Sequence, residues 1–370
     1  MDHGFYIRRC LELASKGAGR TSPNPIVGAV IVRDGKIVTE GFHRKAGLSH
    51  AEVEAIRSVG ATTGGCPDTT LYVNLEPCCH HGRTPPCTSA ILKSGIRRVV
   101  VGVVDPNPKV AGKGIALLRK NGVKVTVGVM AEECRRANEA YFKFITTGRP
   151  FVILKVAATL DGMVATQEGE ARWITSTASR REVHRLRDRV DAILVGANTV
   201  ARDNPRLTTR LPGRKGHDPI RIILDSHLYA DPDAAVFDKG DSPRKGRSMI
   251  ATVEPLLPER RRLFEKKGVE ILICRKKPDG PVDLADLLDR LGQKGITSLL
   301  LEGGPTVHSS FLRERLVDKF MTFYSPRFLG GTGLPMFSGL TTHGLKGLPT
   351  LENLSCKQIG PDLLVTGYPC

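Results

Sequence analysis

Short apolar runs alternate with helical patterns along the first 145 residues. Runs typical of β-strands fall at 26–32, 36–42, 70–75, 98–103 and 123–127. The first two flank Asp34-Gly35, a dipeptide typical of a hairpin turn. Apolar residues recur at helical spacing over 3–17, 50–59, 87–93, 114–121 and 131–145. A hairpin followed by alternating helices and strands predicts one α/β sandwich.

The alternation of strand and helix patterns begins again after a polar segment at 146–150, which indicates a domain boundary. Further strands are predicted at 151–157, 192–195, 220–224, 249–252, 269–273, 298–301, 318–324 and 363–366. Further helices are predicted at 177–188, 256–266, 283–293 and 305–313. The Gly- and Pro-rich segment 325–360 predicts no clear element. We therefore predict two α/β domains, 1–146 and 150–370, each with its own sheet.

Length and cysteine use narrow the class of protein. A chain of 370 residues with 40% hydrophobic residues can bury two ordinary cores. No apolar run reaches the roughly 18 residues of a membrane span, and the polar N-terminus lacks the apolar core of a signal peptide. Nine irregularly spaced cysteines, an odd number, indicate reduced thiols. The expectation is a cytoplasmic enzyme without a membrane partner.

The net charge of +17 is compatible with nucleic-acid binding or with an anionic small substrate. Lys and Arg are spread over the whole chain, and aromatic residues, on which bases would stack, make up only 5% of it. We therefore expect a small anionic substrate and no nucleic acid.

The stretch from His50 to Cys87 carries the clearest chemistry. It opens with H-A-E at His50 and closes with E-P-C ending at Cys78 and P-P-C ending at Cys87. One imidazole and two thiolates suit a catalytic zinc, whose fourth position stays open for water. Glu52, two residues after the His, can move protons to and from that water. The pattern predicts a hydrolytic deaminase with His50, Cys78 and Cys87 as Zn2+ ligands and Glu52 as general acid and base.

The spacing of the two thiols departs from the C-x-x-C of many zinc deaminases. Eight residues separate Cys78 from Cys87, and Cys79, His80 and His81 among them are rival ligands. We retain Cys78 because it directly follows a proline and Cys87 because a helical pattern begins there. Helix N-termini at the His and at the first Cys would stabilise the charged ligands. A structural zinc site is the alternative.

This stretch resembles the bifunctional riboflavin-biosynthesis deaminase/reductase family. The loop H-H-G-R-T-P-P-C is typical of that family, as are P-N-P-x-V-G from Pro23 and D-P-N-P-x-V-x-G-x-G from Asp105. The resemblance implies a cytidine-deaminase-like fold and deamination of 2,5-diamino-6-ribosylamino-4(3H)-pyrimidinone 5′-phosphate. It adds four substrate contacts: Asn24, His43, Asp105 and Asn107.

The second half offers a possible phosphate site. It has no G-x-G-x-x-G after a strand, so a Rossmann site is not supported. Gly303-Gly304-Pro305-Thr306 follows the predicted strand 298–301 directly. Such a turn exposes backbone N–H groups that can hold a phosphate, although it is also an ordinary strand-to-helix connection.

Four segments resemble the reductase half of the same family. They are L-K-x-A-x-T-L-D-G from Leu154, G-E-x-x-W-I-T from Gly169, T-V-x-x-D-N-P-x-L-T-x-R from Thr199 and L-E-G-G-P-T from Leu301. The resemblance implies a dihydrofolate-reductase-like α/β domain that reduces the ribosyl group to ribityl with NADPH. Implied NADPH contacts are Ala158, Trp173, Thr199, Asp203, Gly304, Pro305, Thr306, Val307, His308, Ser309 and Ser310. Implied substrate contacts are Lys155, Arg187, Leu207, Arg210 and Glu302.

Two of these substrate contacts, Arg187 and Arg210, have the guanidinium geometry that suits a phosphate. The resemblance also suggests a homo-oligomer, a dimer or tetramer built through the second domain. Two other functions stay open at this point. One is a zinc deaminase for tRNA or free nucleobases, and the other is a zinc-stabilised binding module without turnover.

Overall fold

The computed structural model describes residues 2–63, 66, 68–82, 84–213, 216–238, 247–340 and 347–370, with the backbone alone described at 60–63. The chain divides into two compact units, Met1–Gly148 and Arg149–Cys370. Each has its own sheet and its own buried core. The predicted class, two α/β domains, is confirmed. Within the described ranges, the helices lack the length and apolar composition of a membrane span.

The first unit is built on a five-stranded sheet in the order β2-β1-β3-β4-β5. Its strands are β1 Gly28–Arg33, β2 Lys36–Phe42, β3 Thr70–Leu75, β4 Arg98–Val103 and β5 Lys124–Val127. Its helices are α1 His3–Ser15, α2 Ala51–Thr63, α3 Cys87–Lys93, α4 Lys113–Lys120, α5 Ala131–Ala137 and α6 Glu139–Thr147. β1 is antiparallel to β2 and β3, whereas β3, β4 and β5 are parallel. The carboxyl ends of β3 and β4 therefore meet at one edge.

Buried side-chain amides explain two differences from the predicted elements. The Ile26 N–H donates to Asn138 Oδ1 at 2.8 Å, and the Ile26 carbonyl accepts from Asn74 Nδ2 at 3.1 Å and Asn138 Nδ2 at 3.0 Å. Strand β1 therefore begins at Gly28 rather than at Ile26. Asn138 also divides the predicted helix 131–145 into α5 and α6, because its φ of −117° is not helical.

The second unit is built on a nine-stranded sheet in the order β11-β10-β9-β8-β12-β6-β13-β16-β15. Its strands are β6 Phe151–Thr159, β8 Ala192–Gly196, β9 Ile220–Leu224, β10 Ser248–Thr252, β11 Glu270–Ile273, β12 Ser298–Leu301, β13 Lys319–Ser325, β15 Leu351–Ile359 and β16 Asp362–Pro369. The strands from β11 to β13 are parallel, and β16 and β15 pair antiparallel. A separate ribbon pairs β7 Met163–Ala165 with β14 Leu334–Pro335.

Helices connect the parallel strands of this sheet. They are α7 Thr177–Arg189, α8 Ala197–Asp203, α9 Pro258–Lys266, α10 Leu284–Gln293 and α11 Pro305–Arg313, with a 3₁₀ turn at Ala235–Phe237. α8 and α11 begin where β8 and β12 end, so the loops at this edge lie beside helix N-termini. The prediction over 325–360 missed β15, an edge strand exposed along most of its length, and part of that range, 341–346, lies outside the described residues. A strand exposed on both faces has no apolar alternation to reveal it.

Asp362 ties the β15–β16 turn to the start of α7. Its carboxylate accepts from the Ser176 N–H at 2.8 Å and from the Ser179 hydroxyl at 2.5 Å, and the residue is only 2% exposed. Removing a buried acceptor leaves both donors unsatisfied.

We predict that Asp362→Ala lowers the free energy of unfolding of the second unit by about 1–3 kcal/mol. Urea unfolding followed by the fluorescence of Trp173, the one Trp of the chain, reports on this unit. Asp279→Ala removes an exposed carboxylate and is the control. Equal losses for the two variants would contradict the assigned role of Asp362.

Candidate active sites

Three predicted ligands converge at the carboxyl edge of the first sheet. His50 directly precedes α2, Cys78 lies in the loop after β3, and Cys87 is the first residue of α3. His50 Nδ1 lies 3.1 Å from Cys87 Sγ and 3.6 Å from Cys78 Sγ, and all three donor atoms lie within 4.8 Å of one another. The expectation of a helix start at Cys78 is wrong. The N–H at the start of α3 instead donates to Cys78 Sγ at 3.3 Å.

The electrostatics of this group suit a metal cation. A hydrogen bond from the Cys87 thiol, with further bonds from His50 and the Cys87 N–H, lowers the pKa of Cys78 to about 4. Cys78 is therefore a ready thiolate ligand. One imidazole nitrogen and two sulfurs at mutual contact distance fit zinc, which prefers such donors and tetrahedral geometry.

Thr84 orients the imidazole from the loop between the two thiols. Its Oγ1 lies 3.3 Å from His50 Nε2. With a metal bound at Nδ1, Nε2 would carry the proton and donate it to the Thr84 hydroxyl. The rival Cys79 points elsewhere, with its Sγ 3.9 Å from the carbonyl of Lys109. The sequence reasoning missed Thr84, although it belongs to the loop that the unusual thiol spacing had already marked.

Glu52 lies on the first turn of α2 beside the ligands and is 3% exposed. Burial raises the pKa of its carboxyl, and the His50 charge opposes that shift. A carboxyl with a raised pKa accepts and returns a proton near neutral pH more readily than an ordinary Glu.

Asn24 and His43 form a hydrogen-bonded pair next to His50. Burial lowers the pKa of the His43 ring, which favours its neutral form. His43 Nδ1–H donates to the Ser49 carbonyl at 3.1 Å, which leaves Nε2 to accept from Asn24 Nδ2 at 3.2 Å. The His43 and His50 rings meet edge to face, with centroids 5.2 Å apart. The pair therefore has one fixed orientation.

Asp105 and Asn107 follow β4 at the same edge. Asp105 is 5% exposed, and its carboxylate accepts from the Tyr141 hydroxyl at 3.1 Å to each oxygen and from the Asn107 N–H at 2.9 Å. Burial raises the pKa of Asp105. Tyr141 was not predicted as a site residue, because in the sequence it is one more apolar position of a helical pattern.

Lys155, Arg187 and Glu302 form one ionic cluster in the second unit, with side chains only 8–13% exposed. Arg187 donates from Nε to Glu302 Oε1 at 2.8 Å and from Nη2 to Oε2 at 2.9 Å, and Lys155 Nζ lies 3.3 Å from Oε2. Burial alone would raise the pKa of Glu302, but the two cations outweigh it and hold the pKa well below its usual range. That Arg187 takes the substrate phosphate stays a prediction, and its guanidinium is already engaged by Glu302.

Arg210 follows buried Leu207 and is exposed. Its guanidinium lies 3.5 Å from Thr208 Oγ1 and forms no ion pair among the described residues. Burial and the charges of Arg187 and Arg206 lower its pKa. His184, which was not predicted, accepts the Arg210 backbone N–H at Nδ1 at 3.2 Å, and burial with the Arg187 charge lowers its pKa to about 4. An uncompensated cation of this kind suits an anionic group.

The residues expected to contact NADPH lie mostly at the carboxyl edge of β6, β8 and β12. Gly304 precedes α11, and a Cβ there would lie 3.3 Å from Thr199 Oγ1 on α8. Gly303 is needed because a Cβ there would lie 2.9 Å from Val307 Cβ. Other members lie on the same elements: Ala158 on β6, Asp203 on α8, and Pro305, Thr306, Val307, His308, Ser309 and Ser310 on α11.

Trp173 lies before α7 and is 61% exposed, so it is not a core residue of the described chain. The Arg180 guanidinium stacks over its ring at 4.4 Å from the centroid, and Arg327 Nη1 donates to its carbonyl at 3.0 Å. Arg172 Nη2 donates to the Asp203 carbonyl at 2.6 Å. An exposed aromatic face beside several cations fits a flat anionic cofactor such as NADPH.

Two protein-family models match the chain. Residues 1–103 match the cytidine and deoxycytidylate deaminase zinc-binding region, and residues 150–365 match the RibD C-terminal domain. The first match contains His50, Cys78 and Cys87, and the second contains the Lys155–Arg187–Glu302 cluster.

Relatives and solved structures extend the similarity over both units. Riboflavin biosynthesis protein RibD of Aquifex aeolicus is 45% identical over 361 residues, covering 97% of this chain and 96% of its own. RibD of Actinobacillus pleuropneumoniae is 41% identical over 366 residues, covering 97% and 93%. A Thermotoga maritima structure described as a diaminohydroxyphosphoribosylaminopyrimidine deaminase/5-amino-6-(5-phosphoribosylamino)uracil reductase has a TM-score of 0.86 and 38% identity, covering 100% and 99%.

Such identity over nearly the full length of both partners extends well beyond a shared fold. The predicted deaminase and reductase activities, and the predicted cofactors Zn2+ and NADPH, are confirmed by this membership. The chain belongs to the RibD family of riboflavin-biosynthesis enzymes, which join a zinc-dependent deaminase to an NADPH-dependent reductase.

Proposed function

We propose that residues 1–146 deaminate 2,5-diamino-6-ribosylamino-4(3H)-pyrimidinone 5′-phosphate and that residues 150–370 then reduce its ribosyl group to ribityl. The product of the two steps is 5-amino-6-ribitylaminouracil 5′-phosphate. The observation that carries the proposal is the convergence of one imidazole, two thiols and buried Glu52 at one sheet edge. The similarity to the Thermotoga maritima deaminase/reductase supports the choice of substrate.

Glu52 moves the protons of the deamination. His50, Cys78 and Cys87 would hold the zinc ion, which would supply a Lewis acid that lowers the pKa of the attacking water. Glu52 takes a proton from the attacking water and delivers it to the departing nitrogen, which leaves as ammonia while a C–O bond replaces the C–N bond. The burial that raises the pKa of Glu52 favours its accepting that proton.

The pyrimidine is oriented by groups on both sides of the metal ligands. Asn24 is held by neutral His43, so its amide presents a fixed face to the ring. Asp105 and Asn107 approach from the β4 side, with Asp105 fixed by Tyr141. These contacts with substrate are part of the proposal.

In the second unit, the cluster around Glu302 prepares the sugar for hydride transfer. When bound, NADPH would supply the hydride that reduces C1′ of the opened ribose. Lys155 presents an ammonium group that the Glu302 carboxylate keeps in place, and it can donate to a sugar oxygen. Arg210 binds the 5′-phosphate, with Leu207 packing against the substrate. The eleven expected cofactor contacts, from Ala158 to Ser310, would line the nicotinamide dinucleotide.

Assembly and location are part of the same proposal. The outermost strand β15 carries Leu354 at 61% exposure, which supports a homo-oligomer, a dimer or tetramer, formed through the second unit. All nine cysteines are free thiols, which suits the reducing cytoplasm.

We predict that Glu52→Gln lowers deamination of the diamino substrate by a factor of about 10² or more, because the amide cannot carry the proton. Ammonia release from the diamino substrate measures this step. Bound zinc and NADPH oxidation with the already deaminated substrate stay at wild-type levels. Glu54→Gln, on the same first turn of α2, is the control.

Ammonia release by the wild type from cytidine or tRNA, with none from the pyrimidine phosphate, would reject the proposed substrate. Unchanged deamination in Glu52→Gln would reject only the role of Glu52.

We predict that Thr84→Val lowers zinc affinity by about tenfold or more, because the methyl group cannot accept the His50 Nε2 proton. Competition with a chromophoric chelator measures the affinity without turnover. Thr84→Ser keeps the hydroxyl and is expected to bind zinc like the wild type. If Val and Ser variants bound zinc equally, the hydroxyl would have no part in orienting the ligand.

We predict that Arg210→Ala raises the KM for the phosphorylated reductase substrate by about 10- to 100-fold, the cost of losing a charged hydrogen bond. The KM for NADPH stays near its wild-type value. Steady-state NADPH oxidation measures both constants, with Arg189→Ala, an exposed Arg at the end of α7, as the control. A larger effect on NADPH than on the substrate would contradict the assignment.

A further inference from the structure

Glu76 is a buried carboxylate that neither the metal group nor the proposed substrate contacts include. It directly follows β3, two residues before Cys78, and it is 3% exposed. Its Oε2 accepts from the Asp105 N–H at 3.2 Å and from the Gly112 N–H at 2.9 Å. Its Oε1 accepts from the Ile115 N–H at 3.1 Å. One side chain therefore binds three backbone donors from a single neighbouring segment.

These bonds join the two halves of the deaminase site. On one side of Glu76 lies the loop that carries Cys78. On the other lies the segment from Asp105 to the start of α4, which carries two of the four proposed substrate contacts, Asp105 and Asn107. Within this segment the Asp105 carboxylate accepts the Asn107 N–H at 2.9 Å, and Asn107 Oδ1 accepts the Lys109 N–H at 3.0 Å. The position of Asn107 thus follows from the position at which Glu76 holds Asp105.

Close packing keeps the two segments in register. A Cβ at Gly114 would lie 2.1 Å from the Pro77 carbonyl oxygen and 3.1 Å from Glu76 Oε1. The start of α4 therefore lies directly against the peptide that follows Glu76. Since the backbones already touch there, the three hydrogen bonds have little freedom to lengthen.

The three backbone N–H donors explain why residue 76 has a carboxylate side chain. An ionised carboxylate has acceptor sites only, so both oxygens can face N–H groups. An amide of the same shape would turn an NH₂ group toward at least one of these donors.

We propose that Glu76 is a positioning residue of the deaminase, which fixes the distance between the metal-binding loop and the substrate segment Asp105–Asn107. It acts through that segment and touches neither the metal nor the substrate. The proposal rests on the substrate roles proposed above for Asp105 and Asn107. A simple cap of α4 would stabilise the fold without affecting substrate affinity, so the two roles have different kinetic signatures.

The test compares Glu76→Ala and Glu76→Gln with wild type and with Glu133→Gln, an exposed glutamate of α5. Glu76→Ala is expected to raise the deaminase KM by about tenfold or more, the scale of a lost buried acceptor, with a smaller fall in kcat. Zinc content stays at the wild-type level. Glu76→Gln keeps one acceptor oxygen but turns its NH₂ group toward the remaining donor, so it is expected to restore only part of the loss.

Further measurements distinguish a positioning role of Glu76 from a purely structural one. A lower melting temperature of Glu76→Ala with an unchanged KM would overturn the proposal in favour of a helix cap. Loss of zinc in proportion to loss of activity would also overturn it, because Glu76 would then serve the metal loop alone. Far-UV circular dichroism shows whether the variants are folded, and a variant that has lost its helical signal is replaced by Glu76→Asp, for which the same KM rise is expected. Failure of the wild type to deaminate the pyrimidine phosphate would instead reject the proposed function.

Discussion

The parallel pairing of neighbouring strands is the constraint on which both sites depend. In the first unit the register between β3 and β4 places the loop after Leu75 beside the loop after Val103. In the second, β12 lies between β6 and β8, so Glu302 emerges between Lys155 and the α8 loop. The backbone hydrogen bonds of each ladder therefore bring together side chains that lie far apart in sequence. Local sequence only decides which chemistry those loops carry.

The sequence alone was sufficient to predict the residues whose chemistry depends on residue type and spacing. His50, Glu52, Cys78 and Cys87 were predicted from residue types and order, and the structure places the three ligand atoms within 4.8 Å of one another. Thr84, Tyr141 and His184 were missed because each acts through a partner distant in the chain, such as Asp105 for Tyr141. Strand β15 was missed because its register comes from pairing with β16 and not from an apolar pattern of its own.

Arg187 shows how a role expected from resemblance can leave out a partner. The guanidinium geometry suggests a phosphate, and nothing local reveals Glu302, 115 positions away. The low exposure of Glu302 explains why Arg187 pairs with it, because a carboxylate removed from water needs compensating cations at close range. Lys155 and Arg187 both meet that need, which leaves the more exposed Arg210 as the cation with free hydrogen-bonding capacity for an anion.

The outer strand Leu351–Ile359 has a consequence for handling the protein in solution. Its outer side has no strand partner among the described residues, and such an edge can recruit the backbone of another molecule. Glu352 and Lys357 place one negative and one positive charge along the strand. Charges of opposite sign repel an identical strand less than charges of a single sign would. Conditions that leave this edge uncovered, such as partial denaturation at high protein concentration, would therefore favour aggregation from it.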